Sequence, residues 1–170
     1  MLEYRKLDKD NYPYVLDIKH KLFPESNSDE DYTKYFNNEV KSNYYLILKD
    51  NSPCATIGWY DFDNTGENAF VGWFAVLPEF QKQGIGKKAL EHIIQEVVSL
   101  NYSYLRVYTD KVENFASTKL YDKTFDARED YTYPDKIGKT NNFVVYTKFL
   151  TTKHELWNNT PLNEDDNYIL

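Results

Sequence analysis

Three groups of residues in this chain have types and spacings suited to chemistry. The first is Gln81-Lys82-Gln83-Gly84-Ile85-Gly86-Lys87-Lys88. Gly84 and Gly86 carry no side chain, so the amides around them can approach a bulky anion closely. An apolar helical pattern opens directly after them, adding free N–H groups and the positive end of a helix dipole. Such a loop suits a phosphate or pyrophosphate, and Lys82, Lys87 and Lys88 add local positive charge. The second group is Asn114, Ser117 and Tyr121, whose i, i+3, i+7 spacing puts an amide, a hydroxyl and a phenol on one side of a short helix. The third is a set of carboxylates near turn signals, Asp61 and Glu67 foremost. Either can serve as a general base, and each reads more simply as a solvated turn residue.

These groups need a framework. Val71–Leu77 is a run of apolar residues suited to a central strand, and Pro78, with no amide donor, should end its ladder. From about Gly84 to Ser99, Ile85, Ala89, Leu90, Ile93, Ile94, Val97 and Val98 form one helical stripe. Tyr102–Thr109 follows as a strand, and a strand–helix–strand unit predicts a parallel crossover to Val71–Leu77. Glu113–Thr124 reads as a short helix, with Ala116 and Leu120 packing on the sheet. Ahead of the loop come a strand at Leu2–Leu7, a helix at Asn11–Phe23 stopped by Pro24, and a helix at Ser28–Val40 with an acidic start. Strands at Asn43–Lys49, Cys54–Phe62 and the run ending at Leu77 form a meander, turned at Asp50–Pro53 and Asp63–Gly66. Two late strands, Ala127–Tyr133 and Asn142–Leu150, complete the order βααβββαβαββ. The fold class is therefore α+β, a mixed central sheet of about seven strands with four helices.

At 170 residues the chain suits one domain at 1–150, followed by a tail at 151–170 of unknown role, whose few apolar residues read as a loose arm or a disordered segment. A net charge of −7 argues against nucleic acid as a partner. The single cysteine, Cys54, excludes an internal disulfide and points to a reducing compartment. No apolar run approaches the ~20 residues of a membrane span, and the charged start Met1–Asp10 does not read as a signal peptide. The expected location is cytoplasmic. No spacing of the H-E-x-x-H or C-x-x-C kind suggests a metal. His92 falls on the polar face of its helix and reads as exposed, while His20 and His154 have no partners in sequence. A dinucleotide-binding fingerprint would need a third glycine where Ala89 stands, and a loop set closer to its strand.

Gln81-x-x-Gly84-x-Gly86 after a strand ending Val76-x-Pro78-Glu79 resembles the acetyl-coenzyme A signature of the GNAT N-acetyltransferases. Asn114-x-x-Ser117-x-x-Leu120-Tyr121-x-x-Thr124-Phe125 resembles that family's second motif, with Ser117 in place of a small alanine and Thr124 in place of a glycine. The element order is similar as well, over roughly residues 1–150. The resemblance implies an acetyl-CoA-dependent N-acetyltransferase in which Ala75, Val76 and Leu77 offer backbone groups to the pantetheine arm. It implies that Gln81, Lys82, Gln83, Gly84, Ile85, Gly86, Lys87 and Lys88 hold the pyrophosphate, with a strand amide near Val76 polarising the thioester carbonyl. Asn114, with Ser117 on the same face, becomes a cofactor contact, and Tyr121 a general acid for the departing thiolate. Asn114 also reads as an ordinary N-cap, and with 16 tyrosines in the chain Tyr121 also reads as a packing residue.

Some family members carry a glutamate base in the central strand, but the corresponding position here is near Phe70, which cannot serve. Glu67 or Asp61 would have to replace it. The acceptor is an unidentified amine. Glu25, Asp29, Asp61, Asp63, Glu67, Asp130 and Asp135, with Tyr32, Tyr60 and Tyr133, suggest a small cationic one. The rivals are a protein or peptide N-acetyltransferase and a non-catalytic acyl-CoA-binding domain. The late strands and the tail are candidate surfaces for a homodimer.

Overall fold

The computed structural model describes residues 1–24, 28–110, 116–134 and 140–158. Its frame is a seven-stranded sheet in the order β1-β2-β3-β4-β5-β7-β6. The strands are β1 (Leu2–Lys6), β2 (Ser42–Lys49), β3 (Ser52–Asp61), β4 (Asn68–Val76), β5 (Tyr104–Asp110), β6 (Ala127–Pro134) and β7 (Thr140–Phe149). Among the described residues only β4 and β5 pair in parallel; the other neighbours are antiparallel. The helices are α1 (Tyr12–Leu22), α2 (Glu30–Phe36), α3 (Ile85–Ser99) and α4 (Ala116–Thr124). Sheet, helix count and element order match what the sequence implies.

Alternation along the strands builds two cores. Ile57, Trp59, Ala69, Val71, Leu105, Val107, Val144 and Tyr146 face Ile85, Ala89, Leu90, Ile93 and Val97 of α3 and Tyr121 of α4. On the other face, Tyr44, Leu46, Leu48, Ala75 and Leu77 meet Val15 and Ile18 of α1 and Tyr32 of α2. A third cluster covers the far half of that face, where Phe70, Phe143 and Val145 pack with Trp157.

Three local expectations are corrected. The second helix stops at Phe36 instead of Val40, because Asn38 turns left-handed at φ +54°, a conformation asparagine tolerates. The β2–β3 turn is tighter than Asp50–Pro53: Asp50 and Asn51 both have positive φ, the primed geometry that matches strand twist, and Ser52 already pairs with Lys49. The start of the tail is packed against the body. Trp157 is buried against Phe62 and Phe70, and Glu129 accepts the amides of Trp157 and Asn158 at 3.0 and 2.8 Å. Among the described residues no helix is long and apolar enough to cross a membrane.

Candidate active site

The sheet opens at its one parallel pair. β4 and β5 are joined only over Asn68–Phe70 and Tyr104–Arg106. Beyond that, β4 stays with β3 as far as Val76, while β5 follows β7 to Asp110. Backbone groups on this edge of β4 are therefore left without a strand partner. A bulge marks the parting: Thr56 pairs with Ala75 and Gly58 with Gly72, so Trp73 and Phe74 together oppose Ile57. Bulges of this kind bend a strand and re-aim its side chains.

At the end of β4, Leu77 still bonds to Cys54, and Pro78–Phe80 then forms a single 3₁₀ turn. Lys82 and Gly84 both have positive φ, +60° and +77°. Gly84 is the N-cap of α3, and a Cβ there would meet nothing within 4 Å, so backbone conformation is what favours glycine. The first intrahelical bond runs from the Lys88 amide to the Gly84 carbonyl at 3.1 Å. The amides of Ile85, Gly86 and Lys87 precede it and have no carbonyl within the helix to bond.

Between the parted strand and the helices lies a cavity of about 260 Å³. One wall is Phe74, Ala75 and Val76; the loop supplies Gln81, Lys82, Gly84, Ile85 and Gly86; Ala116, Ser117 and Leu120 of α4 stand opposite, and Leu22 and Phe23 of α1 close one side. A Cβ on Gly86 would sit 3.4 Å from Phe74 Cζ and 3.5 Å from Leu120 Cδ2, ordinary contact distances, so atoms beyond a Cβ are what would crowd the slot. The Gln81 side chain donates to the Val76 carbonyl at 3.0 Å, bracing loop against strand.

The expected site residues do not all share this slot. Ala75, Val76, Gln81, Lys82, Gly84, Ile85, Gly86 and Ser117 line it. Leu77 is buried in the α1/α2 core. Gln83 donates to the Glu79 carbonyl and accepts the Lys49 ammonium. Lys87 lies 4.0 Å from Glu91, and Lys88 is exposed on the same turn. Asn114 lies outside the described residues, as do Glu25 and Asp135. Tyr121 sits behind the slot, its ring against Phe74, Phe125 and Tyr146 at 6.3, 5.7 and 5.5 Å. Burial pushes its phenol well above the ordinary value, so it stays protonated.

Asp61 and Glu67 stand at the opposite end of β4: Asp61 pairs with Ala69, and Val76 pairs with Ala55 six residues further along β3, roughly 20 Å away at the usual rise per residue. Asp61 accepts the Gly66 amide at 2.9 Å and the Tyr102 hydroxyl at 3.1 Å, and Glu67 pairs with Lys153 at 2.5 Å. Both hold structure where they are. Asp29 meets Lys19, Asp63 meets Thr65 and Asn68, and Asp130 meets Arg128. Burial alone would raise the Asp29 carboxyl, but the Lys19 ammonium and His20 outweigh it and hold that group below the carboxylate range. His92 is a further correction. Its ring stacks on Tyr4 at 4.1 Å and meets Tyr45 edge-on at 4.9 Å, so the helix face that carries it is covered by β1 and β2. Sequence reasoning missed Trp73, Lys19 and Asp31, which pack around the bulge; no periodicity marks a bulge in an unbroken apolar run.

A mixed sheet parted at its parallel pair, with a narrow slot leading to an amide-rich turn, is the arrangement of a transferase that draws an acyl group from a long phosphate-bearing carrier. The model of the acetyltransferase (GNAT) family matches residues 12–126, more than half of the chain, and the chain belongs to that family. Solved structures share the fold. The ribosomal-protein-S18-alanine N-acetyltransferase of Escherichia coli is 17% identical, with a TM-score of 0.62 over 91% of this chain and 97% of its own. A GNAT acetyltransferase of Elizabethkingia anophelis, solved with acetyl-CoA bound, is 19% identical, with a TM-score of 0.64 over 87% and 97%. The Salmonella typhimurium protein yncA, solved with its cofactor acetyl-CoA, is 16% identical, with a TM-score of 0.69 over 92% and 98%. No curated protein matches the sequence.

Proposed function

We propose that this protein transfers the acetyl group of acetyl-CoA to a primary amine of a small acceptor. The observation that carries the reading is the slot itself, bounded by the unpaired edge of β4 on one side and the Gly84–Gly86 turn on the other. Its residues fit the carrier. Ile85, Gly86 and Lys87 amides suit a pyrophosphate, Lys82 and Lys88 add charge, and a slot floored by Phe74, Ala75 and Val76 suits a linear, mostly apolar arm. Two of the structural relatives were solved with acetyl-CoA.

The β4 edge near Val76 offers backbone amides to a carbonyl oxygen, an oxyanion-hole role. In the transfer the neutral amine nitrogen bonds to the acetyl carbon, the carbon–sulfur bond breaks, the nitrogen gives up a proton to solvent, and the thiolate gains one. Tyr121 is the proposed donor on the strength of its place in the family pattern and a phenol that remains protonated; its ring stands behind Phe74, so the role requires Phe74 to give way to the sulfur. Asp61 and Glu67 are not assigned the base, given their distance from the slot. The carboxylates behind the expected preference for cationic acceptors have internal partners where they are described, so the reading does not require a second positive charge on the amine.

An acceptor panel spanning spermidine, an aminoglycoside, tyramine and neutral amino acids tests the reading, with acetylated product followed by mass spectrometry. Acetylation of at least one primary amine is expected, with Tyr121→Phe lowering kcat by about 10² and leaving acetyl-CoA affinity in place. Tight acetyl-CoA binding with no product from any amine of the panel would overturn it in favour of a binding domain.

A further inference from the structure

The residue that turns β4 away from β5 is Trp73. Its φ is +42°, in the left-handed region that a bulky aromatic side chain rarely adopts. The consequence is a change of face. Before the bulge, Ala69 and Val71 belong to the α3 side of the sheet. Strict alternation would place Trp73 and Ala75 with them and send Phe74 and Val76 to the other side. Instead Trp73 and Ala75 pack with the α1/α2 core, while Phe74 and Val76 pack on the α3 side. An extended backbone at Trp73 would therefore swap which side chains and amides of β4 meet the slot.

A strained conformation persists only when its surroundings over-determine it, and here they do. The indole Nε1 donates to Asp31 Oδ2 of α2 at 3.0 Å. The Lys19 ammonium of α1 lies 4.1 Å from the ring centroid, and its side chain is fully buried. Lys19 is itself fixed by Asp29 Oδ1 at 2.6 Å and by the Ser28 carbonyl. The ring of Phe23 closes edge-on at 5.5 Å. Trp73, Lys19 and Asp31 are absent from the lining of the slot. They grip the bulge from behind.

We propose that Asp31 and Lys19 are positioning residues that act through Trp73, holding the β4 bulge in the one register that presents the strand edge to the thioester. The inference rests on the acetyl-transfer reading above. A clamp of this kind contributes to the reacting geometry while making no contact with the donor, so it should govern turnover and leave donor binding in place. Misplacement of reacting groups by about 1 Å can cost 10²-fold in rate.

The test uses the full chain and its Trp73→Phe, Asp31→Ala, Asp31→Asn and Trp73→Phe/Asp31→Ala variants. Acetyl-CoA affinity is measured by calorimetry. Thiol release from acetyl-CoA is measured with the best amine of the panel above, or with water when no amine is turned over. Trp73→Phe keeps the ring under Lys19 and loses the indole N–H; Asp31→Asn keeps an acceptor oxygen for it. We expect Trp73→Phe and Asp31→Ala each to lower kcat by about tenfold to a hundredfold, with acetyl-CoA affinity within threefold of wild type. Asp31→Asn should recover most of the rate. The double variant should be no slower than the worse single one, since both remove the same bond. In amide-correlation NMR, Asp31→Ala should move one indole signal, the one lost in Trp73→Phe. Wild-type kcat in both single variants, additive losses in the double variant, or affinity and kcat falling together would overturn the clamp while acetyl transfer by the wild type stands. A wild type that binds no acetyl-CoA would overturn both readings.

Discussion

At the scale of single residues, the slot depends on what is missing from Gly86. Phe74 and Leu120 approach from opposite walls, and the space between them is what a side chain at position 86 would fill. Gly86→Val should therefore weaken acetyl-CoA binding by about tenfold or more, roughly 1.4 kcal/mol or above. The melting temperature should stay within a few degrees, since the change lies at a solvent-facing cavity and not in the core. Calorimetric titration with acetyl-CoA checks the first expectation and differential scanning calorimetry the second. Gly84 was equally legible as a glycine but does a different job: open space surrounds it, and its left-handed φ is what a side chain would resist. Sequence spacing found both glycines and could not separate those roles. Tyr121 shows the same limit. Spacing puts it on one face with Ser117, yet Ser117 lines the slot beside Ala116 and Leu120 while the Tyr121 ring packs behind it between Phe74 and Tyr146.

At the scale of elements, α3 was the most legible, because its apolar stripe is long and unbroken. Its polar face was less so. His92 lies on that face by sequence, but β1 and β2 cover it with Tyr4 and Tyr45. Burial lowers the His92 pKa, opposed by the nearby Glu96 carboxylate. A depressed folded pKa means that the unfolded chain binds the proton more readily. The stabilisation is then complete above the ordinary histidine value near 6.5 and is lost as pH falls through the lower folded value. His92→Phe retains a ring against Tyr4 and cannot titrate, so its melting temperature should fall less than that of wild type between pH 7 and pH 5. An equal fall in both proteins would contradict this account of α3. The bulge of β4 was illegible for a physical reason. A strand buried on both faces reads as continuous apolar sequence, so a shift of one residue in alternation leaves no trace.

At the scale of the whole molecule, alternating strands, turn residues and one crossover helix were enough to imply seven strands, a meander and a parallel pairing of β5 with β4, but not the insertion of β7 between β5 and β6. They also left out how the chain after β7 returns. Residues with few apolar neighbours in sequence read as a loose arm, yet Arg106 reaches the Glu155 carbonyl at 3.2 Å, Glu129 holds two amides, and Trp157 fills the space over Phe70. One tryptophan is a faint sequence signal with a large energetic weight. Trp157 is 5% exposed, so Trp157→Ala should cost about 3–5 kcal/mol of folding stability, measured by urea denaturation. A loss below about 1 kcal/mol, the scale of a surface substitution, would place this segment outside the folded body. Packing of that aromatic over Phe70 also explains why the central strand carries no base there: the side chain at that position belongs to the core.

All three scales converge on the donor half of the reaction, where strand edge, loop and α4 meet. The most direct test of that convergence is the release of CoA thiol from acetyl-CoA by the purified full chain in the presence of primary amines. The account predicts amine-dependent release that saturates with acetyl-CoA, is matched by acetylated amine, and is suppressed by Gly86→Val at limiting acetyl-CoA. Release that is independent of the amine, or that is indifferent to Gly86→Val, would contradict it.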